Sequence, residues 1–297
     1  MSVMPRVVLV TRPTAYEMLV ARHATREQAR FFLESRGQSI DELESGHECF
    51  GEAQRRVIGS VPQDWRLARV GRADLDRFLF ERDDVVVALG QDGLVANVAK
   101  YLAGQVVVGL NPDRGSSRGV LVKHDPADAL ELVLAANEPT ARVEERTLVA
   151  CDLDDGQRLV ALNEVFVGHV SHQTARYRIY VGGRAERQMS SGMIVATGTG
   201  ATGWASSVCR ERAHPPRLPG PTEEKLAFLV REAFASPSST TSLTQGVLPS
   251  TSRLRVVSEM GEGGVVFGDG IESDRVEFMY GSVAEIYVAE ERLRLLA

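Results

Sequence analysis

The segment Gly90-Gln91-Asp92-Gly93 sets one carboxylate between two glycines. It follows the apolar run Val85-Val86-Val87-Ala88-Leu89 and precedes Leu94–Leu102, where Leu94, Val95, Val98, Ala99 and Leu102 share one helical face. A strand-to-helix turn offers phosphate unpaired N–H groups and a partial positive charge. Gly90 and Gly93 let a phosphate come close to the backbone. Asp92 repels anions, so its chemistry is that of a general base or a metal-associated carboxylate. The same residues also suit a plain helix cap and turn.

Thr197-Gly198-Thr199-Gly200-Ala201-Thr202-Gly203-Trp204 contains the spacing G-x-G-x-x-G after the strand-like Met193-Ile194-Val195-Ala196. A dinucleotide fingerprint needs a βαβ continuation, and Pro215-Pro216-Arg217-Leu218-Pro219 follows instead, so that reading is set aside. The loop is rich in hydroxyls and backbone donors, and Trp204 could pack on a base or ribose, or in a core. Asn163-Glu164 interrupts an apolar strand, Val160–Val167. A buried amide and carboxylate need partners, which ribose hydroxyls or a strand-end bulge could supply.

Other signals are weaker. His169 and His172 would fall on opposite faces of a strand end, and Asp152, Asp154 and Asp155 read as an ordinary turn. No metal site is expected from spacing. The chain has no G-x-x-x-x-G-K-[ST] and no G-x-S-x-G, which excludes P-loop enzymes and the common hydrolase elbow.

The elements positioning these residues change character along the chain. Val7–Val10, Leu67–Val70, Asp84–Leu89 and Val106–Leu110 read as strands, with helix expected over 15–36, 52–58, 74–82 and 94–102. Strand and helix alternate as in a covered parallel sheet. Beyond residue 140 the pattern is mostly strand: 142–150, 158–170, 174–181 with a turn at Gly182-Gly183, 193–196, 254–257, 264–267, 275–280 and 284–288. Residues 204–210 and 222–234 read as helix and 236–244 as loop. The 297 residues suggest two domains. We expect a Rossmann-like three-layer α/β domain over 1–125 and a β-rich domain over 126–297, whose last strands can return to the first.

Net charge is −6, which argues against a large nucleic-acid footprint. Three of the 34 basic residues are lysine. Cys49, Cys151 and Cys209 are an odd, scattered set, pointing to a reducing compartment. There is no run of 18 apolar residues and the first strand starts at Val7, so neither membrane span nor leader is expected, and a cytoplasmic location is.

Taken in order, these motifs resemble the NAD kinases over roughly residues 6–290. Leu89–Gly93 resembles that family's G-G-D-G-T loop, Gly109-Leu110-Asn111 its G-I-N, and Ala161–Val165 its N-E motif. Ser191–Trp204 resembles its T-P-T-G-S-T-A-Y segment and Val266–Gly270 its late D-G motif. The T-G-T-G loop ending in tryptophan, the preceding Ser-Gly, and Thr11–Arg22 are most similar to the mitochondrial-type branch and its bacterial relatives. The resemblance implies the two-domain NAD kinase fold and transfer of the ATP γ-phosphoryl group, with Mg²⁺, to the adenosine ribose 2′-hydroxyl of NAD(H). Asp92 would be the base; Gly90, Gln91, Gly93 and Asn111 would serve phosphate and ATP. Asn163, Glu164, Ser191, Thr197, Thr199, Gly200, Thr202, Gly203, Trp204 and Asp269 would serve NAD. A homodimer or higher homo-oligomer is implied, with small nucleotides as the other partners. Gln91 and Leu94 depart from the G-G-D-G-T pattern, and Gly115–Gly119 lengthens the following loop. The departures leave two alternatives: a kinase of this fold for another hydroxyl (nucleoside, sugar or lipid), or a nucleotide-binding sensor without catalysis.

Overall fold

The computed structural model describes residues 4–115, 119–237 and 239–297. The chain forms two compact units, Met1–Glu144 with Arg294–Ala297, and Glu145–Leu293.

The first unit is built on the parallel strands β1 (Arg6–Thr11), β2 (Arg66–Gly71), β3 (Asp84–Leu89) and β4 (Val106–Leu110), in the order β2-β1-β3-β4. Every residue of β3 and β4 is buried, as expected for parallel strands covered on both faces. Helices α1 (Ala15–His23), α2 (Arg26–Glu34) and α3 (Asp41–Ser60) connect β1 to β2; α4 (Asp92–Ala99) connects β3 to β4, and α5 (Ala129–Asn137) follows. One face of the sheet (Val7, Leu9, Val85, Val87, Val106, Val108) packs on Ala53 and Val57 of α3 and on Ala129, Val133 and Ala136 of α5. Helix α4 packs against β1, β3 and β4, completing three layers. Arg294 and Leu295 pair in parallel with Val106 and Val107.

Two helices differ from expectation here. The predicted helix over 15–36 breaks at Ala24, whose φ is +66°, and restarts behind the Thr25 cap, whose hydroxyl accepts from Gln28 N at 3.2 Å. The helix expected over 74–82 is a short 3-10 helix, Arg72–Arg77.

The second unit packs two antiparallel sheets face to face. Its strands are β5 (Val143–Leu153), β6 (Arg158–Ala161), β7 (Glu164–His169), β8 (Ala175–Val181), β9 (Arg184–Ser190), β10 (Met193–Ala196), β11 (Lys225–Val230), β12 (Gln245–Pro249), β13 (Leu254–Ser258), β14 (Gly264–Gly268), β15 (Val276–Glu277) and β16 (Val283–Leu296). One sheet runs β12-β11-β10-β7-β14-β15. The other joins β16, β13, β8 and β9, with β5 paired to β16 and β6 to β5. Their shared core includes Val165, Val167, Val195 and Phe228 from the first sheet and Tyr177, Ile179, Val256 and Ile286 from the second. The outer face of the first sheet, with Phe166, Ile194 and Leu229, is covered by Trp204 and Ala205 of α6 (Trp204–Arg210).

The helix predicted over 222–234 is the strand β11. Glu223, Glu224 and Lys225 gave it a helical look, but Leu226–Val230 are all buried between β10 and β12, the signature of a covered strand. The strand predicted over 158–170 is broken at Leu162–Asn163.

Glu186 ties the 242–243 segment to β9. Its carboxylate accepts from Ser242 N at 3.0 Å, Leu243 N at 3.1 Å and Gln188 Nε2 at 2.6 Å, as well as from the Ser242 hydroxyl. Burial opposes the charge, and these hydrogen bonds outweigh it, holding the carboxyl down at about 2. Glu186→Ala is expected to cost roughly 2 kcal/mol in denaturant unfolding at pH 7, since it strands buried donors. The wild-type contribution is present above the usual carboxylate range and is lost as pH falls towards about 2.

Candidate functional site

In the first unit the predicted residues collect at the carboxyl ends of β3 and β4. Gly90 N donates to Leu110 O at 3.0 Å, joining the two strand ends. Gln91 is the N-cap of α4, and Asp92 its first residue. The Asp92 carboxylate is held by backbone amides: Oδ1 accepts from Leu121 N at 2.8 Å and Val122 N at 3.1 Å, Oδ2 from Val120 N at 2.9 Å. These occupy three of a carboxylate's roughly four acceptor positions. Gly119 permits the approach, since a Cβ there would lie 3.1 Å from Asp92 Oδ1 and 2.6 Å from Val122 O. Residues 116–118 of the predicted loop lengthening lie outside the described residues.

Gly93 is exposed with open space beside it. Asn111 is buried, and its Oδ1 accepts from Asp113 N at 3.0 Å, a turn closed by its own side chain. Sequence reasoning missed Arg12: its Nη2 donates to Gln91 Oε1 at 2.5 Å. The available signal was its place directly after a buried strand.

In the second unit three segments far apart in sequence meet at the break between β6 and β7. Asp269 Oδ2 accepts from Leu162 N at 3.0 Å and Oδ1 from Asn163 N at 2.6 Å. Thr197 serves the matching carbonyls: its hydroxyl donates to Leu162 O at 2.5 Å and its N–H to Asn163 O at 2.9 Å. Asp269 N donates to Glu164 O at 3.0 Å, and Asp269 holds the left-handed φ of +54° that this approach needs. The Thr197 hydroxyl also accepts from Thr199 N at 3.1 Å and Gly200 N at 3.3 Å.

The glycines of this loop serve close packing of backbone on backbone. A Cβ at Gly200 would lie 2.2 Å from Asn163 O, and one at Gly198 would lie 1.8 Å from Gly220 O. Thr202 closes the 3-10 turn, donating from its hydroxyl to Thr199 O at 3.0 Å, and exposed Gly203 leads into α6. The buried Arg146, also missed from sequence, donates from Nη1 to Thr199 Oγ1 at 3.3 Å. A lone arginine entering an apolar strand was its signal.

Glu164 lies beside this clasp and is 8% exposed. Burial, and then the charge of Asp269, push its carboxyl up to about 7. Ser191 and Trp204 line a separate cavity of about 500 Å³ on the outer face of the six-stranded sheet. Trp204 stacks on Phe166 at 5.9 Å, and the Arg231 guanidinium lies 5.0 Å from the Trp204 ring. Arg231, Arg275 and Glu272 give this aromatic-floored cavity charged walls that the sequence reading did not name. Among the described residues, no three His, Cys, Asp or Glu side chains converge as a metal site. No helix among them is long and apolar enough to cross a membrane.

No family model matches the chain. It is 26% identical over 263 residues to the mitochondrial NAD kinase 2 of Rattus norvegicus, covering 70% of this chain and 61% of that protein. It is 33% identical over 144 residues to the NAD kinase of Hyphomonas neptunium, covering 47% and 53%. An Archaeoglobus fulgidus NAD kinase solved in complex with ATP superposes with a TM-score of 0.59 at 19% identity, covering 99% of this chain and 94% of that one. The chain is related to the NAD kinases and carries their fold. Yeast NADH kinase complexed with NADH superposes equally well, with a TM-score of 0.59 at 16% identity. The matches span 58–63% of the first three curated NAD kinases.

Two variants test the second-unit cluster. Asp269→Ala removes the acceptor for two buried amides and is expected to cost roughly 2–4 kcal/mol in urea unfolding, with Asp269→Asn costing less because it keeps one acceptor and tolerates the left-handed backbone. For Glu164 the folded state holds its proton more tightly than the unfolded chain, so stability falls as pH rises from about 4.5 to about 7. Glu164→Gln removes that loss. Its unfolding free energy should exceed wild type by roughly 3 kcal/mol at pH 8 and match it near pH 4.

Proposed function

We propose that the chain is an NAD(H) kinase, transferring the γ-phosphoryl group of ATP to the adenosine ribose 2′-hydroxyl to give NADP(H). The observation that carries this reading is Asp92: a half-buried carboxylate at a helix N-terminus, flanked by Gly90 and Gly93 and fixed by three backbone amides. Fixation by amides orients the carboxylate and leaves one acceptor position for a substrate hydroxyl.

In this reading the Asp92 carboxylate takes the proton of the ribose 2′-hydroxyl as its oxygen attacks the γ-phosphorus. The new O–P bond forms as the bond to the β-phosphate oxygen breaks, and ADP leaves. The N–H groups at the start of α4 face the phosphates, with Gly90 and Gly93 permitting close approach. Asn163 and Glu164 hold ribose hydroxyls, and Thr199, Thr202, Gly203 and Trp204 line the NAD subsites. Mg²⁺ arriving with the triphosphate would offset charge on its oxygens, and Asp92 is the carboxylate within the proposed phosphate loop Gly90–Gly93. The working form is proposed to be a homodimer.

Purified protein given ATP–Mg²⁺ and NAD should form NADP. Asp92→Asn is expected to lower kcat at least about 100-fold while NAD still binds. Turnover by Asp92→Asn at the wild-type rate would remove Asp92 from the proposed role. Preference for a nucleoside, sugar or lipid hydroxyl over NAD in a phosphate-transfer screen would overturn the substrate.

A further inference from the structure

We propose that Arg12 is the cation that binds the phosphates of the donor nucleotide, with Gln91 as the residue that positions it. The inference rests on the reading above, in which ATP is the donor.

Strand β1 lies between β2 and β3. The chain leaves β1 towards β2 on one side, and leaves β3 towards β4 on the other. The connections therefore diverge between β1 and β3, and in open α/β sheets the crevice at such a divergence is where ligands sit. Two loops leave these strands at their carboxyl ends: the one after Thr11, which begins with Arg12, and Gly90–Gly93. The bond from Arg12 Nη2 to Gln91 Oε1 bridges them at 2.5 Å.

The partner's chemistry is the telling part. At the amino end of the same strand Arg6 is neutralised, with Nε and Nη2 each 2.7 Å from the Asp84 carboxylate. At the carboxyl end Arg12 is held by a neutral amide. Among the described residues no carboxylate lies within 4.0 Å of its guanidinium. An amide oxygen orients a guanidinium without cancelling its charge, and its remaining N–H groups stay available to an anion. Arg12 is half-buried, with its charge at the crevice beside the first turn of α4. Gln91 stands where the related loop has a second glycine. The backbone approach lost there is replaced by a side chain that holds a charged fork, which suits phosphate in bidentate geometry.

Calorimetric titration of the full chain with ATP–Mg²⁺ and, separately, with NAD tests this. Arg12→Gln is expected to weaken ATP about 10- to 100-fold, the loss of charge-assisted hydrogen bonds, with NAD affinity unchanged. Arg12→Lys keeps the charge without the fork and should fall between the two. Arg12 is only half-buried, so both variants should unfold at the wild-type temperature. Wild-type affinity for ATP in Arg12→Gln, or a loss confined to NAD, would overturn the assignment. Failure of the wild-type chain to bind ATP would overturn both this and the parent reading. ATP binding that depends on Arg12 in a chain that makes no NADP would overturn only the parent reading.

Discussion

Two consecutive residues, Leu162 and Asn163, hold the second unit's cluster together. Their two N–H groups both donate to Asp269, and their two carbonyls both accept from Thr197. Four backbone groups in a break between strands would otherwise be left unpaired at a buried position, each at a cost comparable to a lost hydrogen bond. Two residues from distant segments meet that need. Satisfying it brings the Asn-Glu pair, the Thr-Gly loop and the Asp-Gly turn together. Glu164 then sits where burial and Asp269 raise its proton affinity, a protonation balance near neutrality of the kind that accumulates at functional sites.

The first unit uses the same device with the roles exchanged. There the carboxylate proposed for chemistry is itself the clasp, with Asp92 gathering the amides of residues 120–122. A group fixed in this way has little rotamer freedom to lose on meeting substrate, which favours positioned proton transfer. The arrangement also explains how a chain of net charge −6 could hold polyphosphates. Helix N-termini, backbone amides and individually placed arginines act locally, and a charge total does not register them.

Much of this was legible in the sequence. Buried parallel strands announce themselves as unbroken Val, Leu and Ala runs, and the turn Gly90–Gly93 lay between one such run and a helical pattern. The order of the motifs carried the fold, which the solved NAD kinases share. The G-x-G-x-x-G spacing was rightly set aside, for Gly198 and Gly200 answer to Gly220 and Asn163. Long-range hydrogen bonding was not legible. The strand break at Leu162–Asn163 depends on partners at Thr197 and Asp269, and the placement of the Arg12 guanidinium depends on Gln91, 79 positions away. Residues 225–230 were misread for a related reason: neighbouring strands, not local propensity, decide that segment.

The most direct measurement is the crystal structure of the protein with NAD bound. The account predicts the adenosine ribose 2′-hydroxyl at hydrogen-bond distance, about 3 Å, from the free acceptor position of Asp92. A bound NAD whose 2′-hydroxyl is turned away from Asp92, or that presents a different hydroxyl to it, would contradict the account.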